Sequence, residues 1–388
     1  MKKALSFLLA LLMIFTIVSC AKDPVAPATT PPPPPPADST APGGSDPTDT
    51  PPAEGGTIGY VTDDVDHQAR KTYNIVYFNF QPSNASQQVA DALLELGNVY
   101  NFKLEQLTAN GDSDAYINNL TTTLLKGPDG IFVDITQEYA PRVSELLEEY
   151  DVPAICMFNK AVDVDGKVLI PCVIMDQYHN GQTQMQWMLD NYKTYWGDVD
   201  FSKVAFLSLD WSTNMDLNMR SVGATELWKE KYPNNPYFYG DTAAESFSVE
   251  AGYNVTNAII SANPQIEYWL ISGTAEDYTL GATRAVNDLG KSDKTIITSS
   301  GAAILSGEWD NGYEGSWKAN YSAPPWLYAG VTTFGLLALI DGRATKDTLW
   351  PESFLPGDLA PRLVLMPDMM THENYKDYLS NIKASFGC

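Results

Sequence analysis

The chain has 388 residues, with 24 Lys and Arg against 48 Asp and Glu, a formal charge of −24 at neutral pH. Acidity of that size excludes a nucleic-acid binder, which needs a basic face to neutralise phosphates. With 44% hydrophobic and 19% charged residues the composition is that of a globular protein, and the length suits two lobes with cores of their own.

At the front, Lys2 and Lys3 precede an apolar run from Ala4 to Val18, the order of a secretory signal and too short for a membrane span. The run leads into Ile17-Val18-Ser19-Cys20, which resembles the lipobox of bacterial lipoproteins. That resemblance implies removal of residues 1–19 and acyl chains on Cys20, which would make a membrane surface one partner. Several chains hold a protein there stably, whereas one binds only marginally. The alternative is a plain signal peptide with Cys20 incidental. Residues 20–56 then form an anchor and tether. From Asp23 to Gly56 the chain is rich in proline with almost no large apolar residue, so it cannot bury a core. Proline favours an extended left-handed helix, which suits a spacer better than a ligand for a proline-recognition domain.

After residue 57, short apolar runs alternate with helix-period segments. Ile75 to Phe78 leads into a helix near Ser83, and Ile131 to Val133 into one near Tyr139 with Pro141 in its first turn. Ala154 to Phe158 and Val173 to Met175 are further strands. Val204 to Leu209 precedes a helix reaching Lys231, and Tyr268 to Ile271 one reaching Leu289. Ile296 and Ile297, the stretch Gly315 to Asn320, and a helix from Trp326 to Asp341 complete the series. Near-continuous apolar strands alternating with helices predict α/β architecture with parallel sheets covered on both faces. Among the remaining cysteines, Cys156 and Cys172 are the pair close in sequence; a bond between them depends on how their strands face.

Ligands of such sheets sit beyond the carboxyl ends of the strands. Those ends carry Asn79 and Phe80, Asp134, Asn159 and Lys160, Asp210 and Trp211, and Ser272-Gly273-Thr274. Thr274-x-x-Asp277 also fits a helix capping box, so Thr274 is either a cap or a site residue. Other patterns lose their chemistry on inspection. Gly290-Lys291-Ser292 closes a helix, whereas a phosphate loop must open one. Asp163-x-Asp165-Gly166 puts Cys172 where a calcium loop needs a bidentate Glu. His67, His179 and His372 are scattered, and no nucleophile elbow occurs. No cofactor or metal is expected.

Several motifs occur in an order similar to the substrate-binding proteins of ABC sugar importers of the ribose and galactose type. They are Gly130-Ile131-Phe132-Val133-Asp134, Val152-Pro153-Ala154-Ile155, Met175-Asp176-Gln177 with Gly181, Arg220-x-x-Gly223, and Thr371-x-Glu373-Asn374. The resemblance spans about Tyr73 to Tyr378. It implies two doubly wound Rossmann-like lobes joined by a three-crossover hinge, with the ligand cleft between them. The first lobe would run over 57–176 and be completed by about 322–361; the second would run over 177–321 and be completed by 362–388. The crossovers would lie near Asp176, near Tyr321, and around Arg362 to Met366. The implied function is capture of a small molecule, most simply a sugar, and delivery to a membrane permease by a monomer, with no chemistry performed.

By the same resemblance Asn159 and Lys160 stand where the family has an Asp-Arg pair, Arg220 at its ligand-binding arginine, and Phe247 where an aromatic ring packs on the ligand or serves as core. Thr274 and Ser300 replace an Asn and an Asp, and the crossover Gln falls near Ser322 or Ala323. Replacing charged acceptors by hydroxyls removes strong hydrogen bonds to a sugar, so a planar or anionic solute stays open as the ligand. Trp211, Trp309, Trp317 and Trp326 are the ring candidates for stacking, with Trp211 foremost because it follows a strand end. A surface carbohydrate hydrolase would need two carboxylates at a catalytic separation, and Asp134 with Asp210 is the pair that could be nominated.

Overall fold

The computed structural model describes residues 65–243 and 248–388. Cys20, the signal and tether segments, and Phe247 lie outside the described residues. The first lobe contains β1 (Tyr73–Asn79), α1 (Asn84–Val99), β2 (Phe102–Thr108), α2 (Ser113–Leu125), β3 (Gly130–Asp134), α3 (Ala140–Glu149), β4 (Ala154–Met157) and β5 (Cys172–Met175). The second contains α4 (Gln177–Trp196), β6 (Val204–Asp210), α5 (Met215–Lys231), β7 (Tyr237–Asp241), α6 (Val249–Ala262), β8 (Tyr268–Gly273), α7 (Glu276–Asp288), β9 (Thr295–Ser300), α8 (Ala303–Asp310) and β10 (Trp317–Tyr321). The chain then supplies α9 (Pro325–Ile340), β11 (Arg362–Leu365), β12 (Met369–Thr371) and α10 (Tyr375–Ser385).

These strands make two six-stranded sheets, ordered β11-β5-β4-β3-β1-β2 and β12-β10-β9-β8-β6-β7. All described pairings are parallel except β10 with β12. The central strands β3, β4, β5, β6 and β9 are buried almost throughout, because helices cover both faces. In the first lobe, Tyr77, Phe132, Leu93 and Phe334 fill one face, and Phe78, Ile131, Leu120 and Val143 the other. In the second, Leu207, Ile271, Val286 and Trp317 oppose Phe206, Leu270, Trp228 and Met188.

Short polar residues start the helices at the strand ends. Ser83, Asp112, Asp176, Asn214 and Ser248 each accept a backbone N–H from the first turn of α1, α2, α4, α5 and α6. Helix α8 has no such residue of its own. The buried Glu276 carboxylate takes over, accepting from the Ala303, Ile304 and Leu305 amides at 3.0–3.2 Å and from Asn320 Nδ2 at 2.8 Å. Glu276→Gln turns one acceptor into a donor facing these N–H groups. It should lower unfolding free energy by about 1–3 kcal/mol in a urea titration; an unchanged midpoint would deny Glu276 this role.

One boundary differs from expectation. Arg362 to Leu365 was expected to open the second lobe's final segment, yet it pairs in parallel register with Cys172 to Met175 and forms the edge of the first sheet. Leu363 and Val364 pack on the two first-lobe cores, which holds the strand there. The third crossover is therefore the short Met366-Pro367-Asp368 link to β12. The second crossover follows Tyr321, and the two are tied: Ser322 N donates to the Asp368 carbonyl at 3.1 Å and Tyr378 Oη to the Ser322 carbonyl at 2.7 Å. The first is at Asp176, which caps α4.

The turn motifs behave as turns. Gly290 follows α7 with φ +65°, and Asp163 Oδ1 accepts the amides of Asp165 and Lys167 around Gly166. Cys156 and Cys172 are direct partners on β4 and β5, and both are free thiols. Burial pushes the Cys172 thiol up to about 12. No helix among the described residues is long and apolar enough to cross a membrane, and no group of metal-ligating side chains is found among them.

Candidate functional site

Parallel pairing aligns Asn79 with Asp134 at the carboxyl ends of β1 and β3. Asn159 follows β4 and donates from Nδ2 to Asp134 Oδ1 at 3.0 Å. Asn79 is 2% exposed and donates to Tyr77 Oη at 3.1 Å, leaving its carbonyl oxygen without a partner. The half-buried Asp134 has that one neutral donor, and burial pushes its carboxyl up to about 7. The folded state thus holds the Asp134 proton more tightly than the unfolded chain does. Its contribution to stability is complete below about pH 4 and is lost as pH rises through about 7. Asp134→Asn should flatten the melting-temperature profile between pH 4 and pH 7; an unaltered slope would contradict the assignment.

On the second lobe, Arg220 is 8% exposed on α5. Its Nε donates to Gln177 Oε1 at 2.7 Å and its Nη1 to the Thr274 carbonyl. Asp216, one turn earlier, and Asp210 at the end of β6 offset its charge, while burial pulls its pKa down to about 10. Burial pushes the Asp216 carboxyl up, and Lys160, from the first lobe, and Arg220 pull it back only in part. Burial in the first turns of α9 pushes the Tyr328 phenol up; Arg220 works against that shift and Asp134 adds to it. The first lobe thus carries a carboxyl-amide pair at its strand ends, and the second a buried guanidinium.

The other expected residues divide. Phe80 donates its amide to the Asp134 carbonyl at 3.0 Å, but its ring packs on Tyr116 and Tyr139. Asp210 is 1% exposed and accepts from the Trp211 amide at 2.7 Å and Tyr239 Oη at 3.3 Å. Trp211 is half-buried beside it. Ser300 accepts from Asn180 Nδ2 at 2.9 Å, at the edge of a buried network that continues through Gln184 to Ser272 and Thr298. The capping box at Thr274 does not form: Ala275 is the N-cap of α7, without a side-chain bond, and the Thr274 hydroxyl is buried with no partner. Tyr321 ends β10, and its hydroxyl and that of Ser322 are likewise buried without partners. Trp309 stacks near Tyr375, Trp317 bonds Asn320 at 2.7 Å, and Trp326 lies under Lys383, so these three are held by other structure.

Asp216 and Tyr328 escaped the sequence reading, and Gln177 entered it only within the Met175-Asp176-Gln177 motif, with no role attached. Asp216 had a signal, since acid and base four residues apart share one helix face. Tyr328 had none beyond its nearness to a crossover.

The family model of the periplasmic binding protein domain matches residues 69–332, more than half of the chain. The chain belongs to the periplasmic binding protein family. This binding protein also shares its fold with solved relatives. A solute-binding protein of an ABC transporter from Actinobacillus succinogenes, with bound D-allose, has a TM-score of 0.62 at 16% identity, over 79% of this chain and 100% of that one. The periplasmic binding protein of the arabinose ABC transporter from Shewanella scores 0.61 at 15%, over 81% and 97%. A 5-methylthioribose transporter solute-binding protein from Thermotoga lettingae scores 0.61 at 15%, over 82% and 95%. At these identities the likeness shows the fold alone. No curated protein matches in sequence. Membership assigns binding rather than catalysis, so Asp134 and Asp210 are not a hydrolytic pair.

Proposed function

We propose that this protein is an extracytoplasmic solute-binding lipoprotein that captures a sugar or sugar-like molecule by lobe closure and delivers it to an ABC permease. The observation that carries the reading is that the first lobe presents the hydrogen-bonded Asp134 and Asn159 at its strand ends and the second lobe the buried Arg220. A solute touching both lobes stabilises the closed form because it makes its full contacts only there. The sugars bound by the structural relatives support the class of ligand.

Cys20, the Pro-rich tether and the acidic folded part suit a monomer held at a membrane surface, on the side facing the solute. Mass spectrometry of the mature N-terminus tests the anchor: an acylated Cys20 is expected, and a free N-terminus elsewhere would remove it. A thermal-shift screen of pentoses, hexoses, amino sugars, polyols and planar acids tests the ligand. A sugar at a hundred times its Kd should add about 2.7 kcal/mol of stability. If no sugar raises the midpoint and a planar or anionic compound does, the sugar reading fails.

A further inference from the structure

Helix α10 belongs to the second lobe at its start and to the first lobe at its end. It follows β12 through a turn in which Asn374 accepts the Thr371 amide and donates to the Met369 carbonyl. Tyr375, Tyr378 and Leu379 pack on a second-lobe core, and the Tyr375 hydroxyl donates to Asp310 Oδ1 of α8 at 2.8 Å. Farther along, the partners change lobe. Ile382 and Cys388 pack on a first-lobe core, and Phe386, 1% exposed just past the helix, lies inside it. The Phe386 ring fills a slot at Gly330 of α9, where a Cβ would lie 2.3 Å from it. The Tyr100 hydroxyl holds the Phe386 carbonyl, and Lys383 Nζ donates to Glu95 Oε2 of α1 at 2.7 Å. The 11 residues of α10 span about 16 Å between these two sets of partners.

The lobes touch on the same flank. Asn84 Nδ2, at the start of α1, donates to Asp277 Oδ1, in the first turn of α7, at 3.0 Å. Farther along α1 a groove of about 430 Å³ parts α1 and α9 from α8, and Leu379, Ser380 and Lys383 of α10 line it. A helix held by its own backbone bonds does not stretch, so α10 cannot stay seated in both cores while the lobes swing apart. Its start is tied to the second lobe by chain continuity with β12, whereas its end is held by side-chain contacts. The end is therefore what yields. We infer that α10 is a strap across the hinge with Phe386 as its plug: parting the lobes requires the ring to leave the Gly330 slot. The balance between open and closed forms, on which solute capture draws, is set in part by this contact. The inference rests on the lobe closure in the function proposed above and not on the identity of the solute.

The test is pulsed electron spin resonance on the whole chain without solute. Nitroxides are placed at Asp114→Cys on α2 and Glu250→Cys on α6, exposed positions on opposite lobes, with Cys20→Ser and Cys388→Ser in every sample; Cys156 and Cys172 are buried. Phe386→Ala should raise the ratio of parted to closed molecules about tenfold, since it removes a buried aromatic contact between the lobes. If Phe386→Ala does not melt cooperatively, Tyr100→Phe takes its place: it removes the bond to the Phe386 carbonyl and should raise the ratio about threefold. Val143→Ala, which opens a cavity in the first lobe's other core, should leave the parent distances unchanged. Unchanged distances in the deciding variant overturn the inference. So does an equal shift in Val143→Ala, which would make the effect a general loosening of the lobe. Either result leaves the sugar reading standing, because that reading is decided by the solute screen.

Discussion

Replacing Arg220 by alanine should abolish ligand binding and lower the unfolding free energy by about 3–5 kcal/mol. The guanidinium is buried, bonded through Nε to Gln177 Oε1 and through Nη1 to the Thr274 carbonyl, and lies in the field of Asp216 and Asp210. Truncation strands those acceptors in a place that water reaches poorly, and the remaining carboxylates repel one another. Arg220→Lys keeps the charge but offers a point donor where a planar fork served two directions at once, so it should recover part of the stability and little of the affinity. Titration calorimetry and urea unfolding together check both halves. Affinity within threefold of the parent in Arg220→Ala would remove this side chain from the site.

A second large effect is expected at Gly181, which the sequence marked only as part of a motif. Helices α4 and α5 cross there with their backbones in contact. A Cβ on Gly181 would lie 1.8 Å from the Arg220 carbonyl oxygen, and one on Gly223 would lie 2.1 Å from that of Tyr178. Neither obstacle is a flexible side-chain end, so the helices must separate. Gly181→Ala should cost about 3 kcal/mol or more, at the upper end for overpacking, and should weaken binding as well because the displaced residue is Arg220 itself. Gly307, inside α8 with open space around it, supplies the contrast. There alanine should be neutral or gain up to about 1 kcal/mol, since glycine is the poorer helix former. Equal melting temperatures for Gly181→Ala and Gly307→Ala would refute the crossing argument.

The fold was legible wherever a strand is buried on both faces. β1, β3, β4, β5, β6, β8 and β9 announce themselves as apolar runs, because every side chain of a central strand meets a helix. β2 and β7 passed unnoticed. Both are outer strands of their sheets, and Phe102 is the one buried position of Phe102–Thr108, so no apolar run exists to be read. β11 is an edge strand as well, and its lobe depends on pairing with Cys172 to Met175 about 190 positions earlier, which no local pattern encodes.

The site divides along the same line. Asn79, Asp134 and Asn159 follow from the rule that strand ends meet ligands, and Arg220 from the family resemblance. Their partners Gln177 and Tyr328 sit on helices, where the direction of a side chain is fixed by how the helix is rotated against its sheet. Thr274 shows the converse. Its spacing to Asp277 is right for a cap, yet the helix starts one residue later and leaves the hydroxyl free.

The late arrival of β11, β12 and α10 bears on how the chain acquires its shape as it is made. The second lobe is nearly continuous from α4 to β10 and lacks only β12 at its edge and the start of α10, whose Tyr375, Tyr378 and Leu379 pack on its core. The first lobe is the one interrupted: its core includes Tyr328, Phe334 and Leu337 of α9 and finally Phe386, and the Tyr100 hydroxyl donates to the Phe386 carbonyl at 2.8 Å. The half that is synthesised first must therefore wait, with an exposed apolar sheet face, for the last residues to emerge. Contacts spanning nearly the whole sequence close slowly. The lobe made second should be the first to fold, and a nascent chain stopped before α9 should remain open to binding by chaperones through its first half.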